Sequence, residues 1–408
     1  MIIAMTYDNA LENLKLQLTG KLLVAGDPDF EKACQIWNAR LIKNPAAILQ
    51  CADADDAATG VKFATKHGLP VVVRGGGHSY AGLSSGDEVL LIDFSRMKGI
   101  EIDAANRRAL VEPGVHWGEF NEAALARGLA PTTGTVNSVG VAGFTLGGGS
   151  GWLTRKHGLA IDNLLSVRVV TANGELLTAS ESENADLFWG LRGGAGNFAI
   201  ATGFEFNLHP MENEVFAGQI IYPISEARRA LQVYREVMSQ APDGFCCYPA
   251  AFRIPPIEAF PQDQHGKVVL NFIHLHIGDA DEGKRVVQPL RDFEHPVMDL
   301  SAKQPYSEHL KVLDAGTPPG QRWYSRGQYM NSITDEAIDA FIDHAQSIQG
   351  ALTFAYFEPL GGAAGRIAPD ATAFPHRDAP VSFHILAGWM DSEEDESVMQ
   401  WTRDFHPA

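Results

Sequence analysis

Arg74, Gly75, Gly76, Gly77, His78, Ser79 and Tyr80 follow one another directly after three valines, Val71 to Val73. A guanidinium next to a run of backbone amides without side-chain cover makes an anion cradle. The imidazole beside it is a nucleophile that is largely neutral near pH 7. Glycines bring the chain closer to a neighbour than any Cβ would permit. Valines fit a pleated, packed strand. One strand therefore delivers an anion cradle, a cation and a nucleophile to one place.

A second glycine cluster holds Gly134, Gly140, Gly143, Gly147, Gly148, Gly149 and Gly151. Flexible linkers are rich in polar residues, whereas this cluster is interleaved with Val136, Val139, Val141, Phe144, Leu146 and Trp152. It reads as folded backbone packed against a flat partner. Three competing motifs are weaker. Gly194-Ala195-Gly196-Asn197-Phe198-Ala199 has the GxGxxA dinucleotide spacing. A helical stretch precedes it and a β-like run follows, the reverse of a dinucleotide loop. Gly77-His78-Ser79-Tyr80-Ala81 approaches the GxSxG elbow of α/β-hydrolases but ends in alanine. His274 and His276 share one strand face and lack the further ligands a metal needs, so they read as surface or substrate-facing histidines, and no metal is expected. A large, flat, phosphate-bearing cofactor explains both glycine segments at once.

The elements that must position these groups follow from the pattern. Residues 31–42 carry helical spacing, Ala47 to Cys51 reads as a strand, Asp53 to His67 as a helix, and 70–74 as the strand before the glycines. Glu119 to Arg127 is helical. Asn173-Gly174 turns a hairpin between 166–171 and 175–178. Ala185–Leu191 is a short helix, and 198–208 a strand. Beyond His209-Pro210 the texture changes to helices at 225–240 and 334–348 and strands at 267–277, 352–358 and 381–389, with a last helix from about Asp391 to Phe405. The 408 residues exceed one core. A formal charge of −18 disfavours nucleic acid and anionic membrane surfaces. No apolar run spans a bilayer, and Met1 to Met5 lacks the basic flank of a signal peptide. Cys34, Cys51, Cys246 and Cys247 form no disulfide framework, so a cytoplasmic location is expected.

Five ordered segments together resemble the FAD-linked oxidases of the vanillyl-alcohol oxidase / PCMH superfamily, and within it the berberine bridge enzyme-like group. They are Arg74 to Gly82; Pro131-Thr132-Thr133-Gly134-Thr135 through Gly151-Trp152; Arg155 to Leu159 with Asp162-Asn163-Leu164; Asp186 to Gly194; and Ala373-Phe374-Pro375-His376-Arg377. The resemblance implies FAD, bonded covalently through His78 to its 8α-methyl carbon. Arg74 and the amides of Gly75 to Ser79 would then offset the diphosphate charge. Val139, Asn163 and Ile200 join the glycines around the cofactor. A second, cysteinyl link found in some relatives is absent, because its position is Val136, so attachment runs through His78 only. Phe144 stands where relatives carry a histidine that bonds to the cofactor.

The fold so implied is α+β: a two-lobed PCMH-type FAD-binding domain over residues 1–210, with lobes of about 1–95 and 96–210, and a substrate domain over 211–408 whose antiparallel sheet is covered by helices. FAD is expected between the lobes, facing the substrate domain. The family's C-terminal tail is expected to be missing after Ala408. An oxidase of this kind takes a hydride from an alcohol, amine or sugar carbon to flavin N5 and needs a base for the departing proton. Ser382, His384 and Leu386 share one face of the strand 381–389. His384 is the candidate base and Tyr80 a second catalytic candidate, with Glu358, Arg366 and Tyr324 as further residues of the substrate wall. The expected partners are a small-molecule substrate and O2. The alternatives are a dehydrogenase with another acceptor, an α/β-hydrolase using Ser79, and an inactive flavin-binding chain.

Overall fold

The computed structural model describes residues 2–212 and 214–406. The chain forms two compact units. The first takes in Met1–Gly149, Ala160–His209 and Asp370–Phe374, the second Ser150–Leu159, Pro210–Pro369 and Pro375–Ala408. The architecture is α+β, as expected.

Two larger sheets build most of the first unit. One has the strand order Lys21–Leu23, Ala47–Gln50, Leu90–Asp93, Val71–Arg74. Its last three strands run parallel. The helix Ala54–His67 crosses between two of them. The Asp53 carboxylate caps its first turn by accepting from Asp56 N, and Gly68 ends it at φ +67°. Its buried Ala57, Val61 and Ala64 pack with Leu49, Leu90 and Ile92. The other sheet is antiparallel, ordered Ile100–Asp103, Arg108–Val111, Ile200–Asn207, Leu164–Val170, Leu176–Ser180. Gly174 turns the last hairpin at φ +73°, the left-handed backbone that its asparagine-glycine signal implies.

Two local expectations are corrected. The helix expected over 31–42 covers only Phe30–Cys34. Beyond it the chain is held by non-helical bonds: Trp37 N donates to Gly77 O, Asn38 Oδ1 accepts from Arg40 N, and Asn38 Nδ2 donates to Tyr80 O. Asparagine here competes for the backbone and turns the chain. The helix expected from Glu119 runs instead from Trp117 to Leu125, because His116 and Glu119 form its capping box.

The second unit is one antiparallel sheet. Its strands run in the order Met298–Asp299, Glu214–Pro223, Val268–His276, Phe245–Arg253, Phe354–Pro359, Val381–Trp389, Arg322–Met330, and Ala302–Pro305 also pairs with Glu214–Pro223. The helices Ala227–Gln240, Ala280–Asp292, Asp335–Ala345 and Asp395–Phe405 supply Leu231, Val287, Phe341 and Phe405 to a core that includes Phe272, Phe357, Phe383 and Ile385 from the strands. One sheet face is thus dry and helix-covered, and strand alternation sends Glu358, Ser382 and His384 to the other.

The same alternation overturns two readings. His274 and His276 are not surface or substrate-facing; both are buried. His274 lies against Phe216 and Phe245, and His276 has Glu282 3.2 Å away, a carboxylate from the next helix. Tyr324 packs against Ala387, Trp389 and Val398, off the substrate face. No helix among the described residues is long and apolar enough to cross a membrane.

Candidate active site

In the first unit, the backbone N–H groups from Gly75 to Ser79 have no acceptor among the described residues. Five consecutive free amides at the end of a half-buried strand are suited to hold an anion. The glycines are required mainly by neighbouring protein. A Cβ on Gly76 would stand 2.5 Å from Gly140 Cα, and one on Gly75 2.7 Å from Pro113 O. Gly134 and Gly149 face the Phe144 ring, and Gly148 faces Phe374. The flat partner of the second glycine segment is therefore in good part the chain's own phenylalanines. Gly143 is the exception: it is exposed, and nothing lies within 4 Å of the Cβ it lacks. Gly147 is nearly as open. These two are the positions where a ligand can approach bare helical backbone.

Arg74 does not serve as the expected diphosphate counter-charge. Its guanidinium donates to Ala33 O at 2.6 Å, Gln35 O at 3.3 Å and Asp93 Oδ2 at 3.0 Å, and both members of the ion pair are buried. A charge so deep is compensated by its nearest carboxylate. Arg74 is a strut under the loop.

His78 is fixed on two sides. Its ring stacks on Trp37 at 4.0 Å, and its Nε2 lies 3.1 Å from Ser138 Oγ. Burial pushes the imidazole down to about 4, so it is neutral at physiological pH. Tyr80 stands edge-on to Trp37, and burial pushes its phenol above the ordinary value. It can donate a hydrogen bond but is a poor proton acceptor. Ser79 Oγ accepts from Leu83 N and closes a turn; no helix follows, so the hydrolase elbow is absent. Val139 O accepts from Trp117 N. Asn163 is buried, donating to Thr132 Oγ1 and bonding His209 Nε2, so its amide braces the lobe. Ile200 begins a strand and packs partly into the core. Sequence reasoning missed Trp37, Ser138 and His116. The His116 ring lies beside Gly76, and its Nδ1 bonds Lys98 Nζ, which itself pairs with Glu119 at 2.7 Å. None of these carries a motif of its own.

In the second unit, Glu358 Oε2 lies 3.1 Å from His384 Nε2. Tyr248 OH donates to Glu358 Oε1 at 3.2 Å, and Ser382 Oγ bonds the same His384 nitrogen. Burial alone would raise the Glu358 pKa. Hydrogen bonding and charge from His384, with bonds from Ser150 and Tyr248, outweigh it and hold the carboxyl below its usual range. Tyr356 stacks on the His384 ring at 4.9 Å. Across the strand pair His384 faces Gly327, and a Cβ there would stand 3.2 Å from His384 Nδ1. That glycine leaves Nδ1 uncovered. Gly151, the last glycine of its cluster, bonds Thr154 Oγ1 in this unit. Arg366 is exposed and paired with Asp243, so it does not join the group.

Comparison with known proteins matches residues 45–180 to the FAD binding domain family. An uncharacterised FAD-linked oxidoreductase of Bacillus subtilis is 31% identical over 398 residues, covering 95% of this chain and 85% of its own length. The (R)-6-hydroxynicotine oxidase of Paenarthrobacter nicotinovorans is 30% identical over 389 residues, covering 92% and 81%. BBE-like 1 of Physcomitrella patens shares the fold, with a TM-score of 0.86 at 22% identity over 97% of this chain and 87% of that one.

Proposed function

Because the chain belongs to the FAD-linked oxidoreductases, we propose that it oxidises a small molecule at an alcohol, amine or sugar carbon, with FAD attached to His78 and O2 as the final acceptor. The first unit fits FAD: five free amides suit a diphosphate, and Gly143 and Gly147 leave backbone open beside it. Bound FAD supplies the acceptor for a hydride from substrate carbon.

The rest falls to the side chains of the chain. His384 Nδ1 accepts the substrate O–H or N–H proton while Glu358, bonded to Nε2, orients the ring and stabilises the cation that forms. Tyr248 and Ser150 keep that carboxylate ionised. Tyr356, against His384, offers an aromatic surface to the substrate. His78, neutral and clamped between Trp37 and Ser138, is suited to nucleophilic attachment, and Val136 leaves it as the single tether. The four free thiols fit a reducing, cytoplasmic setting.

The neutral imidazole at the end of five unpaired amides carries this reading. The test is the mass of the unfolded purified chain, with peroxide release on candidate alcohols, amines and sugars. One FAD of added mass, absent in His78→Ala, together with peroxide supports it. Substrate-dependent flavin bleaching without peroxide points to a dehydrogenase. A chain that stays colourless in excess FAD sinks the proposal.

A further inference from the structure

We propose that Ser138 is the positioning residue for covalent flavin attachment: its hydroxyl fixes the tautomer of His78 and takes up the proton that the imidazole sheds. The inference rests on the attachment through His78 proposed above. Ser138 Oγ lies 3.1 Å from His78 Nε2, and Ser138 is exposed. With Nε2–H donating to that oxygen, the lone pair of Nδ1 is the one presented for bonding.

The bond is held from both ends. Gly118 N donates to Asn137 O and Trp117 N to Val139 O, each at 2.9 Å, so both neighbours of Ser138 are pinned to the start of one helix. Two residues further on, Gly140 touches Gly76, which itself lies two residues before His78. The His116 ring closes the bracket by packing against Gly76. Trp37 fixes the plane of the His78 ring. Ser138 fixes its remaining rotation, an arrangement that reaches productive geometry before the reaction begins.

Attachment forms one N–C bond and breaks one C–H bond of the flavin 8α-methyl group and one N–H bond of the imidazole. Two protons and two electrons are released. The electrons reduce the flavin ring, and O2 then reoxidises it, leaving as hydrogen peroxide. As Nδ1 becomes bonded, positive charge develops on the imidazole and the Nε2 proton must leave. Ser138 Oγ is the group in place to receive it and pass it to water.

The experiment mixes FAD-free protein with FAD and follows acid-stable flavin by in-gel fluorescence and intact mass over time. Total FAD uptake by gel filtration is measured alongside. Ser138→Ala is expected to take up FAD yet attach it roughly tenfold or more slowly. Ser138→Thr, which keeps the hydroxyl, is expected to attach at the wild-type rate. Ser138→Cys, nearly isosteric with a weaker hydrogen-bonding sulfur, stands in should the alanine variant fail to fold, and is expected to be slow. Wild-type rates in the alanine or cysteine variant overturn the proposal, as does a threonine variant as slow as alanine. Wild-type protein that binds FAD but never attaches it, or His78→Ala that still does, overturns the His78 linkage itself and this inference with it.

Discussion

Glu358 and His384 sit on adjacent antiparallel strands, and a carboxylate oxygen of one lies 3.1 Å from Nε2 of the other. The carboxylate is buried while the imidazole is half-buried. The pair therefore has an inner member that holds charge and an outer member that can meet a substrate. Glu358→Gln keeps the shape and removes the charge. It is expected to slow anaerobic flavin reduction by substrate roughly 10²-fold or more, with FAD content unchanged. Stopped-flow bleaching near the flavin absorption maximum measures this, and an unaltered rate would remove the pair from the chemistry.

Gly327→Ala tests the same pair from the opposite side. Its Cβ would stand 2.9 Å from Phe383 O and 3.2 Å from His384 Nδ1, close enough to displace the ring and strain the strand pair. The expected result is a fall in kcat together with a lower melting temperature, because the strand backbone must also give way at Phe383 O. Full activity in this variant would show that Nδ1 is not the working nitrogen.

Arg74→Met separates a strut from a cofactor ligand. Removing one partner of the buried pair with Asp93 should cost about 3–5 kcal/mol. The loss should be as large in FAD-free protein as in loaded protein, measured by urea unfolding. A loss confined to FAD affinity would restore the guanidinium to the diphosphate.

Gly143→Ala is the converse case. Alanine suits a helix better than glycine by about 1 kcal/mol, and no protein atom opposes the new methyl. Apo stability is expected to hold or rise slightly while FAD binding weakens, read from fluorescence titration. Unchanged affinity would place the cofactor away from this helix.

Acid should weaken the fold through its buried histidines. Burial holds His274 and His309 down to about 3, against 6.5 when unfolded. Between those values the unfolded chain binds protons that the folded chain refuses, so stability falls as pH falls from about 7 towards 3. Each histidine contributes a slope of up to about 1.4 kcal/mol per pH unit. His78, His116 and His276 shift in the same direction. His309→Gln should flatten the dependence between pH 7 and pH 5 in urea titrations; an equally steep profile would mean that His309 does not titrate on unfolding.

Local signals were legible in the sequence. The valine strand, the Asn173-Gly174 hairpin and the Ala185–Leu191 helix follow from residue preferences that act within a few positions. His384 could be placed on the face of its strand opposite Phe383 and Ile385 by alternation alone. Its carboxylate partner could not, because Glu358 reaches it only through strand pairing. The same limit hid the fate of Arg74, whose acceptors lie 19, 39 and 41 positions away. The segment after Cys34 kept a helical spacing of apolar residues, but Asn38, bonded to the nearby Arg40 N and to the distant Tyr80 O, decided its path.

Gly76 and Gly140 meet backbone to backbone, each occupying the space where the other's side chain would begin. Variation at these two sites is consequently not independent. Enlarging either one already forces the ribbons apart, so enlarging the second should add little further harm, and neither change can rescue the other. A directed-evolution library that randomises one ribbon while holding the other constant will return glycine at that position, whatever substrate is selected for.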